Sequence, residues 1–297
     1  MSTSIHYNHC PVCQSSSFKE FCTVKDHSVS GTEFTLLKCS SCSLVFTQDV
    51  PSADHIEPYY QSEAYISHTD TQKDFISRLY HRVRVFTLRL KVRLVVRTTG
   101  KIVGHHLDIG AGTGAFVHAM ENAGWNSIGI EPSENARKKA NELYLASIYP
   151  MNELENFPEG SYTAITMWHV LEHVHDLHSV VQKIAHIMDR DGKLFIAVPN
   201  YCSYDAGYYK NYWAAYDVPR HLYHFSPQSI SVLLAQHGLV IEKTLPMWFD
   251  SFYVSMLSEK YKKGSLLRAL CIAVISNVLA LFSTRKCSSL LYVISKK

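Results

Sequence analysis

The sequence lacks the features that mark secreted, repetitive and strongly charged proteins. Its first residues, MSTSIHYNHC, contain neither the cationic start nor the apolar run of a secretory signal. No internal repeat or low-complexity tract is visible, and the net charge over 297 residues is only +3. We therefore expect a globular protein that begins near Met1 in the reducing cytoplasm, where disulfides do not persist. Its length suffices for one large domain and an appendage.

From His105 onward, short apolar runs alternate with amphipathic segments, which is the pattern of βαβ units around a parallel sheet. The pattern predicts helices at 114–123, 133–143, 176–188 and 227–237. It predicts strands at 105–109, 126–131, 146–149, 162–168, 193–198, 239–245 and 290–295. A helical insertion, with its apolar part at 264–286, separates the last two strands. The sequence thus favours an α/β, Rossmann-like domain over residues 101–297.

A glycine-rich turn follows the first of these strands. Asp108 ends the strand and is followed by Gly110, Gly112 and Gly114, so a ligand can lie against bare backbone at a helix N-terminus. A second acid, Glu131, ends the next strand, where a carboxylate can accept two hydroxyl protons from a ribose. This arrangement fits either a dinucleotide or a methyl donor. Asp108 favours the donor, because a carboxylate there repels a pyrophosphate and suits a ligand with a cationic group.

These acids and glycines, together with the stretch WHVLEHV at 168–174, resemble class I S-adenosylmethionine-dependent methyltransferases of the ubiquinone and menaquinone methylase type. The resemblance implies a seven-stranded sheet whose last strand is antiparallel. It implies that Asp108 and the glycines hold the methionine part of S-adenosylmethionine, and that Glu131 holds the ribose. Asn152 is the candidate for the adenine contact, and Trp168 completes the predicted cofactor-binding set.

Two segments are expected to converge on the methyl acceptor at the carboxyl ends of the strands. One is the 168–174 stretch, and the other is the aromatic segment 200–225, which is long enough to form a cap. A neutral histidine is a suitable base for an acceptor hydroxyl. The candidates are His221 and His169, ranked first, followed by His173, His224 and Glu172. Each histidine has an alternative role as a hydrogen-bonded structural residue, and Glu172 as a helix-start residue.

The end of the fourth strand reads Met-Trp-His-Val, without the Asn/Asp-Pro-Pro-aromatic turn of methylases that act on nucleobase amino groups. We therefore expect a small-molecule acceptor that is lipid-, quinone- or sugar-like. The alternative is a zinc-ribbon RNA-binding protein whose methyltransferase fold acts on RNA.

Two Cys-x-x-Cys turns lie in the first 54 residues. Cys10 and Cys13 form one pair and Cys39 and Cys42 the other, which brings four thiolates within reach of one tetrahedral zinc ion. We predict a structural zinc ribbon at 1–54, followed by a helical linker at 55–100. Redox activity is the alternative use of such pairs. A module of this kind ahead of a methyltransferase domain also resembles the bacterial sugar C-methyltransferases, which have a further C-terminal domain.

Two segments suggest contact with a membrane surface. Residues 71–101 contain nine Lys and Arg residues against one Asp, with apolar residues at helical spacing. The apolar run at 265–282 has basic residues on both sides and includes 14 uninterrupted residues, fewer than the roughly 20 that span a bilayer. We expect peripheral contact with anionic lipid. A solvated helix face or a nucleic acid, the less favoured partner, would also account for the basic segment.

Overall fold

The structure, a computed structural model, describes residues 3–60 and 75–297. Its central feature is a seven-stranded sheet with the order β12-β13-β10-β9-β6-β7-β8. The strands are β6 (His105–Ile109), β7 (Asn126–Ile130), β8 (Ile148–Tyr149), β9 (Tyr162–Trp168), β10 (Met188–Pro199), β12 (Leu239–Pro246) and β13 (Ser289–Lys296). The last strand runs antiparallel to both of its neighbours. The predicted Rossmann-like sheet with an antiparallel last strand is confirmed.

Three helices of the sheet domain begin at side-chain caps that the sequence contains, whereas the helix after the glycine loop begins at Gly114 without one. Ser133 and Asp176 each accept a hydrogen bond from the backbone three residues on, and Ser226 forms a reciprocal capping box with Ser229. The helices are α2 (Ala115–Glu121), α3 (Glu134–Tyr144), α4 (Leu177–Ile187) and α6 (Pro227–Ala235). All four lie within two residues of the predicted ends. Strand β10 begins five residues earlier than predicted, because Met188 pairs with Tyr162 before an irregularity that ends at Lys193.

The insertion between the last two strands consists of two helices rather than one. Helix α7 (Asp250–Tyr261) packs against α8 (Leu266–Phe282), and the turn between them contains Gly264, whose N–H donates to the carbonyl of Glu259. The apolar part predicted at 264–286 contains α8, and α7 precedes it. No helix in residues 3–60 or 75–297 is both long and apolar enough to cross a membrane.

Helix α1 (Phe75–Thr99) precedes the sheet domain and lies within the helical linker predicted at 55–100. Residues 61–74 of that linker lie outside the described residues. Its buried side faces the sheet, with Val95 in a cluster that includes Phe116, Trp125 and Phe195. The helix therefore rests on the core by its C-terminal half.

The N-terminal module is completed by a strand from the distant cap. The module contains β1 (Ser4–Ile5), β2 (Phe18–Lys25), β3 (Glu33–Cys39), β4 (Val45–Thr47) and β5 (Val50–Pro51). Strand β11 (Tyr223–His224) pairs with β4 and forms the edge of a β11-β4-β3-β2 sheet. The rest of the 200–225 segment contains α5 (Tyr204–Tyr209) and two short 3₁₀ turns. The cap and the cysteine-rich module are thus one packed unit.

Candidate active site

Different constraints favour glycine at each of the three positions Gly110, Gly112 and Gly114 in the loop after β6. All three have positive φ angles, from 54° to 77°. A Cβ on Gly110 would lie 2.3 Å from Val170 Cγ2, and one on Gly114 would press on Ala140 and Ile148. A Cβ on Gly112 would meet nothing within 4 Å. The space beside Gly112 is therefore open to a ligand, whereas its two neighbours allow close packing.

Glu131 follows β7 and faces this open space. Its Oε2 accepts a hydrogen bond from the N–H of Gly112 at 2.9 Å, and its Oε1 accepts one from the N–H of Ser133 at 2.9 Å. The carboxylate thus joins the glycine loop to the start of α3. A partly exposed carboxylate held in this way has lone pairs left for the hydroxyls of a ribose.

Asp108 lies at the inner end of a buried chain of hydrogen bonds. The hydroxyl of Thr166 donates to Asp108 Oδ1 at 2.6 Å, His106 Nε2 lies 2.9 Å from that hydroxyl, and His106 Nδ1 lies 2.7 Å from the hydroxyl of Ser127. Because Thr166 donates to Asp108, the neutral ring of His106 donates to Thr166 and accepts from Ser127. The sequence patterns did not identify His106, Thr166 or Ser127. They connect three neighbouring strands beneath the glycine loop.

Burial shifts the pKa values of Asp108 and His106, the two titratable residues of this hydrogen-bonded series, in opposite directions. It raises the pKa of Asp108 to about 7, against the hydrogen bond from Thr166 and the charge of Lys91, and it lowers the pKa of His106 to about 3. Near neutral pH, a cationic ligand group beside Asp108 would favour the ionised carboxylate.

The remaining predicted cofactor residues lie at two places. Trp168 ends β9 with its ring edge-to-face with Phe116 and with Lys91 Nζ 4.1 Å from its centroid. Its buried indole N–H has no hydrogen-bond partner among residues 3–60 and 75–297. Asn152 is exposed in the short helix Met151–Asn156, just after β8. The adenine and Trp168 assignments remain predictions.

His169 carries an ion pair that the sequence did not reveal. Its Nε2 lies 2.9 Å from Asp250 Oδ2, at the start of α7, and its Nδ1 lies 3.5 Å from Glu172 Oε1. Partial burial would lower the pKa of His169, but Asp250 and Glu172 outweigh it and raise the pKa to about 10. His169 is therefore cationic at neutral pH. A cationic ring cannot accept a proton, so this charge state favours His173 or His221 as the base, and the role of His169 stays a prediction.

Glu172, His173 and His221 form a compact group beside His169. Each offers a ligand atom, and these atoms lie within 4.8 Å of one another. The rings of His173 and His221 are in edge contact, with centroids 4.5 Å apart. Burial and the neighbouring His221 lower the pKa of His173 to about 4, so this ring is neutral. The structure brings together three of the predicted catalytic residues.

His224 has a structural position instead. Its Nε2 lies 3.1 Å from the hydroxyl of Thr47, which itself donates to the carbonyl of His221 at 2.8 Å. Burial holds the pKa of His224 well below its usual range. The ring therefore donates to Thr47 and joins the cap to β4, which is the structural alternative stated for this histidine.

The four paired cysteines converge as their spacing predicts. Sγ–Sγ distances are 3.5 Å for Cys10 with Cys42 and 3.5 Å for Cys13 with Cys39, and all four sulfur atoms lie within 4.8 Å of one another. Ligands bound tetrahedrally at about 2.3 Å are about 3.8 Å apart, which is close to this spacing. The donor set fits one zinc ion.

We predict that Asp108→Asn stabilises the protein at alkaline pH. The folded state keeps the Asp108 proton up to about pH 7, whereas the unfolded chain releases it near 3.8, so this carboxyl lowers stability increasingly as pH rises between those values. At pH 8 the variant should gain roughly 2–4 kcal/mol in free energy of unfolding, and near pH 4 almost nothing. Urea titrations at both pH values measure the difference. An equal gain at both would contradict this account.

A family model described as a methyltransferase domain matches residues 79–244, which is 166 of 297 residues. A ubiquinone biosynthesis O-methyltransferase from Actinobacillus pleuropneumoniae is 35% identical over 105 residues, covering 32% of this chain and 45% of that protein. One from Bordetella avium is 31% identical over 119 residues, covering 37% and 49%. The chain spans about half the length of these curated relatives.

Two solved structures show the same fold at low identity. Magnesium protoporphyrin IX methyltransferase from Synechocystis with bound SAH has a TM-score of 0.52 and 17% identity, covering 82% of this chain and 98% of that one. Geranyl diphosphate C-methyltransferase from Streptomyces coelicolor has a TM-score of 0.53 and 15% identity, covering 76% and 88%. With the family match over more than half of its length, this chain belongs to the methyltransferase domain family.

Proposed function

We propose that this methyltransferase transfers the methyl group of S-adenosylmethionine to a small-molecule acceptor enclosed by the 200–225 cap. The observation that carries the proposal is the open space beside Gly112, at a glycine loop whose backbone N–H is bonded to the Glu131 carboxylate. The relatives named for ubiquinone biosynthesis support a small molecule as acceptor. Methyl transfer is an in-line displacement, so the residues here chiefly align the donor and acceptor and exclude water.

The acceptor would lie between the glycine loop and the group of Glu172, His173 and His221. Val170 touches the Gly110 position, so the loop and the residues that follow β9 lie directly side by side. The cap closes over them, because His221 and Arg220 belong to it. An acceptor hydroxyl would lose its proton at this group as its oxygen attacks the methyl carbon, and the sulfonium would leave as a neutral thioether.

Replacing Glu131 by Gln should weaken binding of S-adenosylhomocysteine about tenfold to hundredfold, because one charge-assisted pair of hydroxyl contacts is lost. Isothermal titration calorimetry measures this change. Glu134→Gln is the matched control, since Glu134 is an exposed acid on the following helix that pairs with Lys138. Equal affinities for wild type and Glu131→Gln would remove the assigned ribose contact, and wild type that binds neither S-adenosylhomocysteine nor S-adenosylmethionine would refute the proposed donor.

We propose that Cys10, Cys13, Cys39 and Cys42 hold a structural zinc ion. Four thiolates leave no open position for a substrate, and the second cysteine turn supports the cap, since the hydroxyl of Tyr201 donates to the carbonyl of Ser43 at 2.6 Å. The free thiols of this set need the reducing compartment expected from the sequence.

Cys39→Ser should lose about one zinc per chain relative to wild type, and it should unfold at lower temperature because the metal stabilises the module. Metal analysis on protein purified without chelator, combined with thermal unfolding, provides the measurement. Cys271→Ser is the control, since Cys271 is an exposed thiol on α8. Unchanged zinc content in the Cys39 variant would contradict the site.

We propose that the protein docks peripherally on an anionic membrane surface through α8. Its exposed side is an apolar stripe consisting of Leu266, Leu267, Leu270, Val274, Val278, Leu281 and Phe282. Lys262 and Lys263 lie before the helix, Arg268 lies within its first turn, and Arg285 and Lys286 lie after it, all exposed. Phe86 of α1 contacts Phe249 beside α7, which extends the apolar surface toward the basic face of α1. Apolar residues between basic ones favour lipid over RNA as the partner.

Leu281→Glu together with Phe282→Glu should reduce binding to vesicles of phosphatidylglycerol and phosphatidylcholine more than tenfold, because two apolar side chains no longer enter the interface. Vesicle sedimentation at low and high salt measures this. Val29→Glu is the control, since Val29 is an exposed apolar residue in the N-terminal module. If wild type does not bind at low salt, or if the double variant binds equally well, the docking surface is refuted.

A further inference from the structure

Glu172 is a buried carboxylate whose oxygens have no hydrogen-bond partner. Its side chain has 0% relative exposure, and both Oε1 and Oε2 lack a partner within the described residues. A buried charge of this kind is costly unless cations or a metal ion compensate it. His169 approaches only one of the two oxygens, at 3.5 Å, and already pairs with Asp250 at 2.9 Å. The other oxygen of Glu172 lacks a comparable partner.

The two histidines of the group are oriented by the backbone of the cap. The Nδ1–H of His221 donates to the carbonyl of Ala215 at 2.9 Å, and the Nδ1–H of His173 donates to the carbonyl of Arg220 at 2.9 Å. With Nδ1 donating, Nε2 is the nitrogen left for a ligand, and in His221 it lies 3.9 Å from Asp217 Oδ2, beyond hydrogen-bond distance. A hydrogen bond from one ring nitrogen to a carbonyl, with the other nitrogen available, is the usual arrangement of histidines that bind metals.

We propose that Glu172, His173 and His221 bind a divalent transition-metal ion, zinc in the first instance. Two imidazoles and one carboxylate are a known ligand set for zinc that keeps a fourth position open, and imidazole ligands disfavour magnesium and calcium. The three ligand atoms lie within 4.8 Å of one another, and ligands at about 2.1 Å in tetrahedral geometry are about 3.4 Å apart. Small side-chain rotations therefore suffice to close the site.

The role of this ion rests on the proposed function, whereas its binding does not. An acceptor oxygen in the open position would have its pKa lowered by the metal charge and, because the three side chains are then metal ligands, would release its proton to water instead of to one of them. The resulting oxyanion would form a bond to the methyl carbon as the carbon–sulfur bond of the donor breaks, giving the methylated acceptor and S-adenosylhomocysteine. Because Val170 packs against Gly110, this site lies next to the donor loop.

Cobalt titration of metal-stripped, full-length protein distinguishes the two sites. Wild type should bind two equivalents, one with the charge-transfer absorption of thiolate ligands and one without it. Cys39→Ser should lose the first signal only. Glu172→Gln and His221→Gln should each lose the second only, with S-adenosylhomocysteine affinity within about twofold of wild type as the check on folding. His237→Gln is the matched control, since His237 contacts His178 outside the group.

The outcomes separate this proposal from the proposed function. A wild-type chain that saturates at one thiolate-bound cobalt, or a second signal that survives in Glu172→Gln and in His221→Gln, overturns the metal site. A second metal lost in both variants supports it, whatever the acceptor. Should fractionated extracts then accept no radiolabelled methyl group from S-adenosylmethionine, the proposed function fails while the metal site stands.

Discussion

The contact between Gly110 and Val170 places the glycine loop, the proposed donor site, beside the residues that follow β9. Their strands, β6 and β9, are parallel neighbours, so both residues leave the sheet at the same edge. With no Cβ on Gly110, the backbone of the glycine loop lies directly under Val170. A larger residue at either position would separate the donor loop from the histidines that follow. The packing of Val170 on Gly110 therefore brings the donor loop and the histidines close together, as methyl transfer requires.

The cap is held in place from the cysteine-rich module as well as from the sheet domain. Arg220 pairs with Asp217 in the cap, and its guanidinium lies 3.7 Å from Asp26 in the module. Asp205, also in the cap, accepts hydrogen bonds from Trp213, Ser276 and Ser288. Such buried, fully bonded carboxylates fix one arrangement of the elements around them. The backbone carbonyls that orient His173 and His221 belong to this rigid segment.

Local patterns predicted the fold well, because a sheet covered on both faces requires apolar strands and capped helices at regular intervals. The four cysteine ligands could also be predicted from a local pattern, because the two cysteines of each pair lie within one turn. The sequence could not reveal Asp250 beside His169, because an insertion between other strands supplies it. The hydrogen bond between His106 and Thr166 was also missed. Each is a single polar residue in an apolar strand, and only the register of the sheet brings the two side chains together. Likewise, the raised pKa of His169 depends chiefly on Asp250, which is remote in the sequence.

The pairing of β4 with β11 has a consequence for how the chain folds. Thr47 and His224, which join across this pair, are 177 positions apart. During synthesis the cysteine-rich module leaves the ribosome before the cap, so its edge strand is made only after most of the parallel sheet. Closing so long a loop is slow and leaves the edge of β4 open in the meantime. A module that is made before the sheet is thus completed only after most of the sheet has been made.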